Sequence, residues 1–232
     1  MIPKIIHYCW FGRGKKTKLI QRCIASWEKY CPDYEIIEWN EDIFDVNMNG
    51  YTRMCWAEKK YAFLSDYVRL YVVEQYGGLY FDTDVELIRS PDALLQAEAF
   101  FGFETPEYVA SGLGFGSVAH GAAVRAMLAE YAPLLDGTHG TVGCPRLNTR
   151  ALTGLGLRQD GSLQQVAGAV IYPPSYFNPY ESATGRLLKT PETISIHWYS
   201  AAWMSRKQRL RCVVGRPLHR ILGVDAFKRF RK

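Results

Sequence analysis

Apolar and polar positions fall into short, regularly spaced blocks along the chain. Lys4 to Trp10 is nearly continuous in apolar residues, which predicts a buried strand, and Gly12-Arg13-Gly14 breaks it. From Leu19 to Tyr30 the apolar residues stand at Leu19, Ile20, Cys23, Ile24, Trp27 and Tyr30, the spacing of one helix face. Pro32 stops that helix, and Tyr34 to Trp39 reads as a second strand. Strand, helix and strand in succession predict a βαβ opening, and with it an α/β class and parallel pairing.

Further along, Trp56 to Tyr76 is the longest helical candidate, closed by Gly77-Gly78 as a C-terminal cap. Leu79 to Ile88 reads as one strand and Ala99 to Phe103 as another. A glycine-rich loop, Ser111 to Gly116, could bring backbone close to a substrate or simply turn the chain. Ala122 to Leu135 predicts a helix, and strands are expected near Val166 to Tyr172 and Thr193 to Trp198. No internal repeat or linker interrupts this pattern. It predicts one domain over residues 1–205, followed by a tail at 206–232.

Composition narrows the class. Of 232 residues, 48% are hydrophobic and 22% charged, enough to bury a full core and too apolar for a disordered chain. The net charge of +5 is unevenly placed. Residues 204–232 hold ten of the 28 Lys/Arg and one of the 23 Asp/Glu, so the remaining body is slightly acidic. That argues against a nucleic-acid binder, whose basic face belongs on the folded domain. In the tail, Leu210, Val213, Leu218, Ile221 and Leu222 alternate with Arg209, Arg211, Arg216 and Arg220, a pattern suited to an anionic membrane surface or to a solvated tail.

The six cysteines form no CxxC pair and no metal-ligand spacing. Met1 runs directly into Pro3-Lys4-Ile5-Ile6 without an apolar leader, and no run of about 20 apolar residues occurs. The expectation is a cytoplasmic protein with free, buried thiols, peripheral on the inner membrane face if the tail binds there.

The chemistry concentrates between Tyr61 and Glu86. In a strand from Leu79, the residues Tyr80, Asp82, Asp84 and Glu86 share one face. Asp82 and Asp84 side by side offer oxygen ligands to a hard divalent cation, Mn²⁺ or Mg²⁺, of the kind that also holds a diphosphate. A solvated polar edge would carry the same tripeptide. Asp66 and Arg69 lie at i and i+3 of the preceding helix, suited to an ion pair.

Together, Ser65-Asp66-Tyr67-Val68-Arg69 and Tyr76-Gly77-Gly78-Leu79-Tyr80-Phe81-Asp82-Thr83-Asp84 resemble the DXD-containing region of glycosyltransferase family 32. The opening Ile2 to Gly12 resembles that family's first strand, and Ser195 to Trp203 its closing motif. The resemblance implies a GT-A fold: an α/β, Rossmann-like mixed sheet flanked by helices. It implies retaining transfer of a hexose from a nucleotide-sugar, with UDP-galactose or UDP-glucose favoured. The acceptor would be a saccharide or lipid-linked saccharide in cell-surface polysaccharide synthesis.

By the same resemblance, Trp10 would stack on the base and Tyr80 would lie near the ribose or uracil. Asp66 and Arg69 would hold the donor sugar. Asp82 would contact ribose or sugar and share the metal, Asp84 would be its direct ligand with His197 as the third protein ligand, and Ser200 and Trp203 would reach the diphosphate. Asn148 resembles a position near the acceptor. Neither Glu86 nor Glu104 is placed by the sequence as a nucleophile beneath the sugar, which leaves front-face substitution as the reading. A phosphatase of the haloacid-dehalogenase type also opens on Asp-x-Asp, but Glu86 and the lack of a later acidic pair disfavour it.

Overall fold

The computed structural model describes residues 1–200. Trp203, the domain boundary at 205 and the basic tail lie outside the described residues.

The chain opens as β1 (Ile5–Cys9), α1 (Lys18–Tyr30) and β2 (Glu35–Trp39), with β1 and β2 parallel, as the hydrophobic pattern predicts. Then come α2 (Gly50–Ala57), α3 (Tyr61–Tyr76), β3 (Gly78–Tyr80), β4 (Val85–Leu87), β5 (Ala99–Thr105), β6 (Tyr108–Val109) and β7 (Phe115–Ser117). The chain continues through α4 (Ala122–Ala129), α5 (Cys144–Gly154), β8 (Gln164–Val166), β9 (Ala169–Tyr172) and α6 (Pro174–Phe177). It closes with β10 (Tyr180–Glu181), β11 (Arg186–Leu187) and β12 (Ser195–His197). The central sheet runs β2-β1-β3-β7-β5-β9-β8, with β6 on β5. It is mixed: β7 runs antiparallel between β3 and β5, while β1 pairs parallel with β2 and β3, and β5 with β9.

Strand alternation divides the core between the two faces of the sheet. Tyr80, Phe101, Phe103 and Phe115 pack with Leu64, Val68, Val124 and Leu152 under α2 to α5. Leu79, Phe81 and Phe100 pack with Trp27, Val85 and Phe177 on the side of α1 and α6. Trp27 joins this packing to the site: it is fully buried, and its Nε1 donates to the Val85 carbonyl at 2.8 Å. With Ser26 Oγ accepting from Leu87 N at 2.9 Å, α1 holds the backbone of β4 in place.

Several elements differ from their sequence-based expectation. The long helix expected from Trp56 is two helices. Asn49 caps α2 through a capping box with Thr52, and a Schellman turn ends it, Lys60 N bonding Cys55 O and Lys59 N bonding Trp56 O. Lys59 takes the left-handed conformation (φ 55°) usually filled by glycine, so residue type gave no stop signal. The helix expected over Ala122 to Leu135 ends at Ala129, with Ala132–Leu134 as a 3-10 turn around Pro133. The strand near Val166 to Tyr172 is the hairpin β8–β9, turned at Ala167 and Gly168, both with positive φ. The glycine-rich segment is a 3-10 turn leading into β7 inside the sheet rather than a loose loop, and Asn148 sits within helix α5.

The most consequential correction concerns Leu79 to Ile88. It is not one strand: β3 ends at Tyr80, and a turn closed by Val85 N to Asp82 O at 2.9 Å leads into β4. β4 belongs to a separate two-stranded ribbon with β12, in which His197 faces Val85. Asp82 and Asp84 therefore sit in a turn between two sheets, and strand alternation is not what brings them together. Glu86, expected on their face, is instead drawn to Arg22 and Trp198.

Candidate active site

Four pieces of backbone converge at the end of β3. The α3 helix supplies Asp66 and Arg69, the turn supplies Asp82 and Asp84, β12 supplies His197, and the residues after it end at Ser200. They line a cleft of about 370 Å³ together with Trp10, Tyr61, Ser65 and Tyr80.

Gly77 starts this convergence. It caps α3 with φ 66°, its N–H bonding Val73 O at 2.9 Å, and a Cβ there would lie 2.8 Å from Ala119 N. Only glycine makes this turn without strain, and the turn sends the chain from α3 into β3 beneath its own helix.

Arg69 is the electrostatic centre. Its guanidinium, 3% exposed, reaches Asp66 Oδ1 at 2.9 Å and Asp82 Oδ1 at 3.0 Å from the same Nη2, and lies 5.0 Å from the centre of the Tyr80 ring. Tyr80 Oη donates to Asp82 Oδ1 at 3.0 Å. Burial raises the Asp82 carboxyl to about 6, against the pull of Arg69 and with help from the charge on Asp84. Burial also raises Asp66, with Arg69 and Cys144 at the start of α5 opposing. The sequence anticipated the Asp66–Arg69 pair but not the bridge to Asp82, which depends on the turn.

Asp84 is held differently. Burial pushes its carboxyl upward, but His197 and the Ser200 amide outweigh it and hold it well below the usual carboxylate range. His197 Nε2 lies 3.1 Å from Asp84 Oδ1, Ser200 N donates to Oδ2 at 2.7 Å, and Trp198 N donates to the Asp84 carbonyl at 3.0 Å. Burial lowers the His197 imidazole, yet Asp84 raises it further, so its net shift is upward. One ligand atom from each of Asp82, Asp84 and His197 lies within 4.8 Å of the others. His197 Nδ1 is buried without a hydrogen-bond partner. Two carboxylates and an imidazole converging at a cleft wall, with an orphaned ring nitrogen, fit a divalent cation such as Mn²⁺ or Mg²⁺.

Trp10 is half-buried at the cleft mouth rather than in the core. Its Nε1 donates to Gly14 O at 2.8 Å, and Lys16 Nζ lies 5.6 Å from the ring centre. Asn148 is fully buried, with Nδ2 2.9 Å from Ser111 Oγ; swapping the amide orientation lets its oxygen accept from Ser111 N as well. It braces the Ser111–Leu113 turn and does not line the cleft. Two contributors escaped sequence reading. Gly112 packs so closely that a Cβ would lie 2.7 Å from Asp82 Oδ2, and Cys144 Sγ lies 3.9 Å from Arg69 Nη1. The Ser-Gly-Leu-Gly run was the available signal for Gly112; nothing local marks Cys144. The five cysteines among the described residues are free and buried.

Residues 17–101 match the family described as glycosyltransferase sugar-binding region containing DXD motif. The chain is 31% identical over 123 residues to inositol phosphoceramide mannosyltransferase 3 of Schizosaccharomyces pombe, an alignment covering 49% of this chain and 33% of that protein. Among solved structures it is similar to the PaToxG glycosyltransferase, with a TM-score of 0.52 at 18% identity over 66% of this chain and 69% of that one. That likeness concerns the fold, which is the GT-A arrangement of a mixed sheet between helices.

Proposed function

We propose that this chain, which carries the DXD sugar-binding region, is a glycosyltransferase of the family-32 type that transfers a hexose from a nucleotide-sugar to a saccharide acceptor with retention of configuration. The observation that carries the proposal is the convergence of Asp82, Asp84 and His197 within 4.8 Å at the wall of the cleft. In this reading these three residues hold Mn²⁺ or Mg²⁺, whose charge, when bound, offsets the negative charge developing on the leaving diphosphate.

The rest of the work falls to side chains. Trp10 at the cleft mouth offers a ring face to the base, and Tyr80 stands near the ribose. Asp66 accepts hydrogen bonds from sugar hydroxyls while Arg69 fixes its orientation and that of Asp82. Ser200 reaches towards the diphosphate; Trp203, given the same role by the family resemblance, lies outside the described residues. Transfer breaks the bond between the sugar C1 and the diphosphate oxygen, forms a bond from C1 to the acceptor oxygen on the same face, and passes the acceptor proton to the departing diphosphate. Front-face substitution is favoured because Glu86 and Glu104, the two candidate nucleophiles, are both engaged in hydrogen bonds. Glu86 holds Arg22 and Trp198, and Glu104 lies against Tyr199.

UDP-galactose and UDP-glucose are the first donors to test. The name of the yeast relative adds a mannosyl donor to that set. The test is a hydrolysis screen of nucleotide-sugars with and without Mn²⁺. Metal-dependent release of a nucleoside diphosphate supports the proposal. Release of phosphate from simple phosphoesters, with every nucleotide-sugar left intact, contradicts it and returns the phosphatase reading.

A further inference from the structure

A second cleft, of about 660 Å³, adjoins the site and takes no part in the chemistry above. Tyr199 is the wall between them. Its ring centre lies 4.1 Å from that of His197, while its hydroxyl faces the second cleft, 3.0 Å from Glu104 Oε1 and 3.0 Å from Asn178 Oδ1. Asn178 is oriented by its own Nδ2, which donates to the Glu104 carbonyl at 2.8 Å. A phenol has one proton to give and here meets two acceptors, so one of them keeps a lone pair for a hydroxyl supplied from outside.

Two further features mark this spot. Tyr199 adopts φ 47°, a left-handed conformation that costs a tyrosine on the order of 1–3 kcal/mol and is found where surroundings enforce it at working sites. The register of β5 against β6 shifts between Phe103 and Thr105, bracketing Glu104. Irregularities of this kind re-aim side chains beside active sites. Thr105 Oγ1, also in the wall, is buried without a partner. The remaining wall is largely apolar, with Pro106, Pro174 and Pro179 beside Leu188, which is 54% exposed.

We infer that this cleft is the acceptor site and that its acceptor is amphiphilic: a saccharide whose hydroxyls meet Glu104 and Asn178 beside Tyr199, joined to an apolar aglycone that lies along the prolines and Leu188. The inference rests on the glycosyl-transfer reading and extends it to the class of acceptor. A hydroxyl held at Glu104 is one aromatic ring away from His197, next to where the donor sugar would be presented.

Full-length protein with Mn²⁺ is titrated calorimetrically with methyl and octyl glycosides of glucose, galactose and mannose, the octyl compounds kept below their micellar concentrations. At least one octyl glycoside is expected to bind at least about tenfold more tightly than its methyl counterpart, since each buried methylene contributes on the order of a fourfold gain. Leu188→Asp should erase that difference without changing the methyl glycoside, and Glu104→Gln should weaken both members of the pair alike. Equal or absent binding of both sets by a protein that still takes up Mn²⁺ would overturn the acceptor assignment and leave the transferase reading standing. The assignment also falls if octyl preference survives Leu188→Asp, because the aglycone then lies elsewhere. Failure to bind Mn²⁺ as well would remove both.

Discussion

Arg69 Nη2 lies 3.0 Å from Asp82 Oδ1, and this contact ties the helix before the glycine turn to the acidic turn after it. Because Asp66 uses the same nitrogen at 2.9 Å, a single buried cation fixes two carboxylates. Arg69→Ala leaves both uncompensated and should destabilise the fold by about 3–5 kcal/mol. Arg69→Lys keeps the charge but not the planar fork, so it should retain much of the stability and lose most of the donor hydrolysis. Thermal midpoints and hydrolysis rates for the two variants, measured side by side, check this.

Gly112→Ala tests the packing behind Asp82. The added methyl would sit 2.7 Å from Asp82 Oδ2 and 3.0 Å from Arg69 Nη1, so the carboxylate must swing away. Gly112 is not among the glycines with positive φ, so its backbone accepts alanine. The expected outcome is a folded protein, within about 1–3 kcal/mol of the parent, with weakened Mn²⁺ binding. Unchanged Mn²⁺ affinity would show that the position of Asp82 is not critical.

His7 sets a pH limit on stability. It is fully buried, with Nε2 2.8 Å from Gly77 O and Nδ1 accepting from Trp39 Nε1 at 3.1 Å, which fits only the neutral ring protonated at Nε2. Burial lowers its affinity for a proton below the ordinary 6.5. The unfolded chain then binds the proton first as pH falls. Stability is full above about pH 6.5 and declines below it until the folded ring also titrates. Asp82, raised to about 6, takes up its proton on the folded protein over the same range and opposes this loss. The His7 contribution is therefore read as a difference: between about pH 6.5 and 5 the thermal midpoint of the parent should fall relative to that of His7→Gln, whose midpoint is lower overall at neutral pH.

Glu86 acts at a distance from the cleft. Its Oε2 accepts from Trp198 Nε1 at 2.7 Å and from Arg22 at 3.0 Å, clamping the residue next to His197 onto β4. Glu86→Gln keeps an acceptor for the indole and should preserve Mn²⁺ affinity. Glu86→Ala should loosen the end of β12 and weaken Mn²⁺ binding several-fold with little loss of global stability, because the pair with Arg22 is partly exposed. Metal titrations of the two variants separate a clamp from a surface charge.

The βαβ opening was legible because α1 carries an unbroken apolar stripe and Pro32 follows it. Asp66, Arg69, Asp82 and Asp84 stood out because their spacing is local. What the sequence concealed was long-range or depended on backbone conformation. Lys59 ends a helix in a conformation its side chain does not advertise, and the strand assigned across Asp82 and Asp84 dissolves because β4 pairs with β12, a hundred residues further on. The two aspartates do lie together, but not by the alternation the sequence suggests. His197 was reached through a resemblance; its place beside Asp84 comes from the β4–β12 register. Gly112, Cys144 and the Glu104–Tyr199 contact join segments too far apart for any spacing rule to connect.

Asp82, Asp84 and His197 are proposed to form one divalent-metal site. Mn²⁺ titration followed by electron paramagnetic resonance, on the parent protein and on Asp84→Asn, tests it most directly. The asparagine retains an oxygen to accept from Ser200 N, so the fold should survive with a thermal midpoint near that of the parent. One tight Mn²⁺ per chain is expected in the parent, and an affinity reduced at least about tenfold in the variant. A folded Asp84→Asn protein that binds Mn²⁺ as tightly as the parent would contradict it.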